Sequence, residues 1–86
     1  MENITFLLQV YRDLYLGHNT PLARMYIGTY YGVWSHRVSD QERFILNVEE
    51  EIFAEGFPQE SLDRFCEVID DNPDQPILEG VVYDLI

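Results

Sequence analysis

Four stretches of this 86-residue chain carry apolar side chains at every third or fourth position, which is the spacing that lines one face of an α-helix. Turn-forming residues separate the stretches. Gly17 suits a left-handed helix end, Thr20 followed by Pro21 is a start signal for a helix, and Gly56 and Pro58 mark a third boundary. The spacing predicts an all-α fold, a compact bundle of four to five short helices.

The first two helices are predicted over residues 4–16 and 22–35, with Asn3 as the N-cap of the first. The second segment is also rich in aromatic and β-branched residues, which are typical of strands. The alternative is therefore an α+β fold with one or two strands within residues 23–34. The apolar face persists along the whole segment, and this favours the helix.

The second half of the chain predicts two further helices and an ambiguous tail. Ser39 and Glu42 have the spacing of a capping box, which predicts the start of the third helix. Residues 77–86 fit a short last helix or a strand equally well. The residues predicted to face the core are Phe44, Ile45, Val48, Ile52 and Phe53 in the third helix and Leu62, Phe65, Cys66 and Ile69 in the fourth.

The composition is that of a folded domain. Apolar residues make up 47% of the chain and aromatic residues 14%, which is too rich in core formers for a disordered acidic segment. We expect one acidic globular domain over residues 1–86. The single cysteine excludes an internal disulfide, no apolar run reaches the length of a membrane helix, and no basic stretch precedes the first apolar run. We therefore expect a cytoplasmic protein.

Charge is distributed unevenly along the sequence. The 16 acidic residues and five arginines give a net charge of −11, of which residues 1–38 contribute +1 and residues 39–86 contribute −12. Binding to phosphates requires positive surface, so we expect neither direct nucleic-acid binding nor adsorption to an anionic membrane. The asymmetry instead predicts a near-neutral packing half and an anionic surface that suits a basic partner.

The acidic residues of the third and fourth predicted helices are the main candidate site. Those of the fourth helix recur every three or four positions, opposite its apolar stripe. Residues four apart on a helix rise about 6 Å, which is close to the spacing of alternate phosphates along one nucleic-acid strand. If the two helices are antiparallel, their acids form one negatively charged ridge. The candidate partner-binding acids are Glu49, Glu50, Glu55, Glu60, Asp63, Glu67, Asp70 and Asp71.

Aromatic residues concentrate in the first 34 positions. Tyrosine and tryptophan are frequent anchors of protein interfaces, although core packing is the better explanation for Tyr11, Tyr26, Tyr30 and Trp34. Tyr31 lies off the predicted apolar face, and it is the aromatic candidate for partner contact.

Patterns that would indicate catalysis or a bound ion are weak. Cys66 lies on an apolar stripe, where thiols are usually inert. Residues 70–81 begin like a calcium loop but lack its glycine at the sixth place and its acidic residue at the twelfth. No phosphate loop, dinucleotide fingerprint or zinc-protease motif occurs. We expect no enzyme activity, metal or cofactor.

In size, acidity and lack of a catalytic pattern, the chain is similar to small inhibitors encoded by phages or mobile elements, such as anti-CRISPR and antirestriction proteins. The run MYIGTYYGVW at residues 25–34 resembles the opening strand of an ArdA antirestriction protein. That resemblance covers ten residues and implies a strand at this place.

Two functions follow as expectations. The first is an inhibitor or adaptor that occupies the basic nucleic-acid-binding surface of a partner protein. The second is a structural or regulatory interaction module whose acidity serves only solubility. The second function includes the possibility of a homodimer. Gly28 and Gly32 would lie on one side of the second predicted helix, where they would let a helix of another copy approach closely.

Overall fold

The computed structural model describes residues 2–74, with side chains from residue 4 onward. This part of the chain contains four helices and no strand, which confirms the all-α prediction. The predicted helix or strand at residues 77–86 lies outside the described residues. The helices are α1 (Glu2–Tyr15), α2 (Pro21–Tyr31), α3 (Val38–Ala54) and α4 (Gln59–Asp71).

Helix α1 is the central element of the bundle. It packs mainly against α3 and also against α2, and six of its apolar residues are almost completely buried. The other helices each contribute side chains without solvent exposure to the same core. Because α1 is buried on several sides, it carries more apolar residues than one narrow stripe would need. The buried ones are Ile4, Leu7, Leu8, Val10, Tyr11 and Leu14.

The connection between α1 and α2 forms as the sequence predicts. Gly17 has a φ of 74°, and its N–H donates to the carbonyl of Leu14 at 3.1 Å, so the helix ends in a left-handed turn. Thr20 then caps α2, accepting the N–H of Ala23 at 3.2 Å. The Thr20 hydroxyl also donates to the Asp13 carboxylate at 2.7 Å, which ties the start of α2 to α1.

A second glycine turn positions α4. Gly56 has a φ of 88°, and its N–H donates to the carbonyl of Phe53 at 3.0 Å. The next residue, Phe57, is buried in the core and donates its N–H to the carbonyl of Ile52. Phe57 therefore anchors the loop from which α4 begins.

The strand alternative for residues 23–34 is wrong, and so is the strand implied by the resemblance to the ArdA protein. Residues 21–31 form a helix in which Ala23, Tyr26 and Ile27 are buried at the i, i+3, i+4 spacing of one helical face. The helix ends at Tyr31, earlier than predicted, because Gly32 adopts a φ of 83° as its C-cap. Gly28 and Gly32 therefore do not form one stripe on a helix, and a Cβ built at Gly28 would meet no atom within 4 Å.

The capping box predicted at Ser39 does not form. Helix α3 begins at Val38, with Arg37 at the N-cap position and no side-chain capping bond there. The hydroxyl of Ser35 instead donates to the Asp40 carboxylate at 2.6 Å. Asp40 is thus held by the preceding loop, and Ser39 lies inside the first turn.

Two smaller predictions also need correction. Helix α1 begins at Glu2, so Asn3 lies within its first turn and not at the N-cap. Phe53, predicted to face the core, is 37% exposed, because it lies beside the glycine turn where α3 leaves the bundle. Ile45 is partly buried against the core, while Phe44, Val48 and Ile52 are fully within it.

Candidate functional site

The acids of α4 form a solvent-exposed face, here called the α4 acidic face. The opposite side of the same helix buries Leu62, Phe65 and Ile69 in the core. This division follows from the helical spacing of the two sets of residues. It leaves all five acids free to contact another molecule; they are Glu60, Asp63, Glu67, Asp70 and Asp71.

The hydroxyl of Tyr11 marks the point where α3 and α4 approach each other. It donates to Glu49 Oε1 of α3 at 3.5 Å and lies 3.4 Å from Cys66 Sγ of α4. Burial is the main reason that the pKa of Tyr11 is raised, and the contacts with Cys66 and Glu49 raise it further. The structure therefore brings Glu49 next to the α4 acidic face through a tyrosine of the central helix.

The Cys66 thiol is surrounded by negative charge. Burial raises the pKa of Cys66, and the charges of Asp63, Asp70 and Glu49 raise it further, against a hydrogen bond with Tyr11 that lowers it. A raised pKa keeps a thiol protonated at neutral pH, and a protonated thiol is a poor nucleophile. Negative charge from both α3 and α4 therefore acts on this one sulfur atom.

Two acids of the α4 acidic face are oriented by neighbouring side chains. Tyr15 donates to Asp70 Oδ1 at 2.9 Å, and this hydrogen bond is the main cause of the raised pKa of Tyr15. Gln59 donates its side-chain amide to Asp63 Oδ1, also at 2.9 Å. Neither donor carries a charge, and the two hydrogen bonds restrain the positions of these carboxylates.

The remaining predicted site residues are more scattered. Glu50 is exposed on α3, whereas Glu55 caps the end of that helix and lines a groove on the side that faces α2. Tyr31 is 40% exposed, but its ring packs against Phe44 with centroids 4.9 Å apart. It is therefore partly committed to packing, and the structure does not bring it to the α4 acidic face.

A cluster that the sequence analysis did not single out lies between α2 and α3. Tyr26 donates to Glu51 Oε2 at 2.5 Å, Tyr30 donates to Glu51 Oε1, and the amide of Asn47 donates to the Tyr26 hydroxyl at 2.7 Å. Tyr30, predicted to be in the core, is half exposed. The only sign of this cluster in the sequence is that Tyr26 and Tyr30 lie one helical turn apart, a spacing that lets both hydroxyls bind the same side chain.

This cluster borders an open groove of about 440 Å³ formed by α1, α2 and α3. Its surface is mostly apolar, and three of its large side chains, Phe6, Met25 and Tyr30, are substantially exposed. Glu51 and Glu55 supply its charge. The groove lies apart from the α4 acidic face, since no residue of α4 lines it.

Within residues 2–74, no group of three histidine, cysteine, aspartate or glutamate side chains has the spacing of a metal site. None of the helices in this part of the chain is both long and apolar enough to cross a membrane.

Comparisons with known protein families, with curated proteins and with solved structures give no significant match.

Proposed function

We propose that the chain is a small protein-binding inhibitor or adaptor, and that its α4 acidic face occupies the basic nucleic-acid-binding surface of a partner protein. The observation that carries this proposal is the arrangement of α4. Five acids are exposed along one face of a helix whose other face is fixed in the core.

The spacing of these carboxylates supports the proposal. Residues three or four apart on a helix rise about 5–6 Å, and alternate phosphates on one DNA strand are about 7 Å apart along the axis. A basic surface that reads alternate phosphates of one strand could therefore pair with successive acids of α4. Glu49 widens the negative surface beyond one helix, because the Tyr11 hydroxyl holds it beside α4.

The rigidity of the surface also favours binding. Asp70 and Asp63 are held by Tyr15 and Gln59, so they lose little side-chain freedom when a partner pairs with them. Concentrated like charge destabilises a small compact protein through self-repulsion. A role in guiding association with a partner would explain why the chain keeps this charge. Complementary charge raises association rates most strongly at low salt.

The test combines capture of a partner with displacement of its nucleic acid. A tagged form of the chain is used to isolate binding proteins from the organism that encodes it. Each captured protein is then loaded with labelled duplex DNA or RNA, and the chain is added. We expect wild type to release the nucleic acid and a Glu60/Asp63/Glu67→Lys variant to release none. The affinity of wild type should fall steeply between 10 mM and 150 mM salt, since the Debye length shrinks from about 30 Å to about 8 Å.

Single reversals of equal net charge provide the control. Glu67 is one of the five acids of the α4 acidic face, whereas Glu42 is an exposed acid near the start of α3 and is not one of them. Reversal of the first should slow association more than reversal of the second. If Glu67→Lys and Glu42→Lys have equal effects, or if the triple variant still displaces nucleic acid, the acids serve only solubility. The chain would then be an interaction module that works through another surface. Tyr31→Ala should leave displacement intact.

A further inference from the structure

The groove between α1, α2 and α3 has the composition of a site for a positively charged side chain. Its apolar walls include Phe6, Met25 and the ring of Tyr30. Glu51 and Glu55 are its charged residues, and its lining, all of it within the described part of the chain, contains no cationic side chain. Exposed apolar surface bordered by charge of one sign is typical of an interaction site.

The Glu51 carboxylate is fixed in this groove. Each of its oxygens accepts a tyrosine hydroxyl, one from Tyr26 and one from Tyr30. Asn47 in turn donates to the hydroxyl of Tyr26. A carboxylate oxygen can accept more than one hydrogen bond, so each oxygen keeps capacity for a further donor. The two tyrosines thus hold a negative charge at a set position without neutralising it.

The aromatic rings add a second attraction for a cation. The centroids of Tyr26 and Tyr30 are 4.8 Å apart, and Tyr30 is half exposed. A cation above a tyrosine face within about 6 Å is attracted by the ring. The exposed thioether side chain of Met25 offers an adaptable apolar contact beside these rings.

From this geometry we infer that the groove binds an arginine side chain of a partner protein. The methylene groups of arginine would lie against Phe6 and Met25, and its guanidinium would lie over Tyr30 and pair with Glu51 and Glu55. Arginine fits better than lysine because its planar guanidinium both stacks on aromatic rings and donates several hydrogen bonds to carboxylates. The inference does not depend on the proposed function, because the groove contains no residue of the α4 acidic face.

The probe is a short capped peptide, acetyl-Leu-Arg-Leu-amide, and its counterpart with citrulline in place of arginine. Citrulline has nearly the same shape without the charge. Each peptide is titrated into the uniformly ¹⁵N-labelled full chain while its backbone amide signals are followed by NMR. We expect the arginine peptide to shift the signals of Met25, Tyr30 and Glu51, and the citrulline peptide to bind about fivefold or more weakly.

Matched glutamate variants test the position of the charge. Glu55→Gln removes a groove carboxylate, whereas Glu50→Gln removes an exposed carboxylate of the same helix outside the groove. The first should weaken binding of the arginine peptide about threefold, and the second should leave it unchanged. Met25→Ser, at an exposed position, should also weaken binding without affecting the fold.

Several results would overturn the inference. Equal binding of the two peptides would show that charge is not recognised. Equal effects of Glu55→Gln and Glu50→Gln, or peptide-induced shifts concentrated on α4, would show only general attraction to an acidic protein. Self-association in sedimentation velocity that Glu55→Gln abolishes would assign the groove to a second copy of the chain.

Discussion

Replacement of Thr20 by valine should destabilise the protein far more than its position in a short connection suggests. The Thr20 side chain makes two hydrogen bonds. Its oxygen accepts the N–H of Ala23 at the start of α2, and its hydroxyl donates to the carboxylate of Asp13 at 2.7 Å. Asp13 is only 5% exposed, so water cannot easily replace the lost donor. Valine keeps the shape of the side chain but can make neither bond.

The two losses have separate magnitudes. Removal of a side-chain N-cap costs about 0.5–2 kcal/mol. Loss of a hydrogen bond to a charged group costs about 1.5–3 kcal/mol, and the nearby Arg12, whose Nη2 lies 3.6 Å from Asp13 Oδ1, retains part of the stabilisation of the carboxylate. We expect a total of about 2–3 kcal/mol. Because a chain of this length has a total stability of about 4–13 kcal/mol, the variant should lose a large part of it.

Urea denaturation followed by circular dichroism at 222 nm measures this change, with an unchanged m-value as the check that both states are comparable. Thr20→Ser keeps the hydroxyl and should recover most of the loss. Thr29→Val is the matched control. Thr29 is exposed within α2, and its hydroxyl donates only to the carbonyl of Met25 in the same helix, so its replacement should cost less than about 0.5 kcal/mol.

Equal destabilisation by Thr20→Val and Thr29→Val would refute this reasoning, because it would mean that neither the cap nor the bond to Asp13 contributes. A double-mutant cycle with Asp13→Ala, which leaves no acceptor for the Thr20 hydroxyl, separates the two contributions. We expect a coupling energy of at least about 1 kcal/mol between positions 13 and 20; a value near zero would assign the whole effect to the cap.

Further predictions concern the glycines and the titrating side chains. Gly56→Ala should destabilise the chain by about 1 kcal/mol or more because of its positive φ, whereas Gly28→Ala should stabilise it by about 0.5–1 kcal/mol, since it removes glycine from an open helix position. The reverse order of the two urea midpoints would contradict both expectations. Because the folded-state pKa values of Tyr11 and Tyr26 are raised above their ordinary 10.0, their contribution to stability is complete below pH 10 and declines as the pH rises above it. Absorbance at 295 nm should show Tyr11 and Tyr26 ionising only as the chain unfolds. Full ionisation of all tyrosines near pH 10 in the folded chain would contradict the raised pKa values. The raised pKa of Cys66 should make its alkylation by iodoacetamide at pH 8 slower in the folded chain than in urea. Equal rates would show that the thiol is neither buried nor surrounded by negative charge.

The features that the sequence predicts correctly depend on neighbours within a few residues. The amphipathic division of α4 is set by side chains three or four positions apart, and the turns at Gly17 and Gly56 are set by the conformational freedom of glycine. Such preferences act before any tertiary contact forms. They were sufficient to predict an all-α chain with an exposed acidic face on its fourth helix.

Helix ends were less predictable because several local patterns compete at similar cost. Ser39 has the spacing of a capping box, yet Ser35 binds Asp40 and α3 begins at Val38. Likewise, the apolar spacing continues past Gly32, although that glycine ends α2. A cap is worth only about 1 kcal/mol, so packing of the loop decides which pattern prevails.

The sequence by itself determined the four helices, their apolar faces and the concentration of acids after residue 38, because each depends on spacing along the chain. The tertiary structure alone decided which polar groups meet. Tyr11 and Glu49 are 38 positions apart, and Tyr26 and Glu51 are 25 apart. Helical periodicity specifies which face of a helix turns inward, but not which helix it will pack against. The contacts of the Tyr11 hydroxyl with Glu49 and Cys66, and the Glu51 carboxylate fixed in the groove, therefore exist only once α1 has packed between its neighbours.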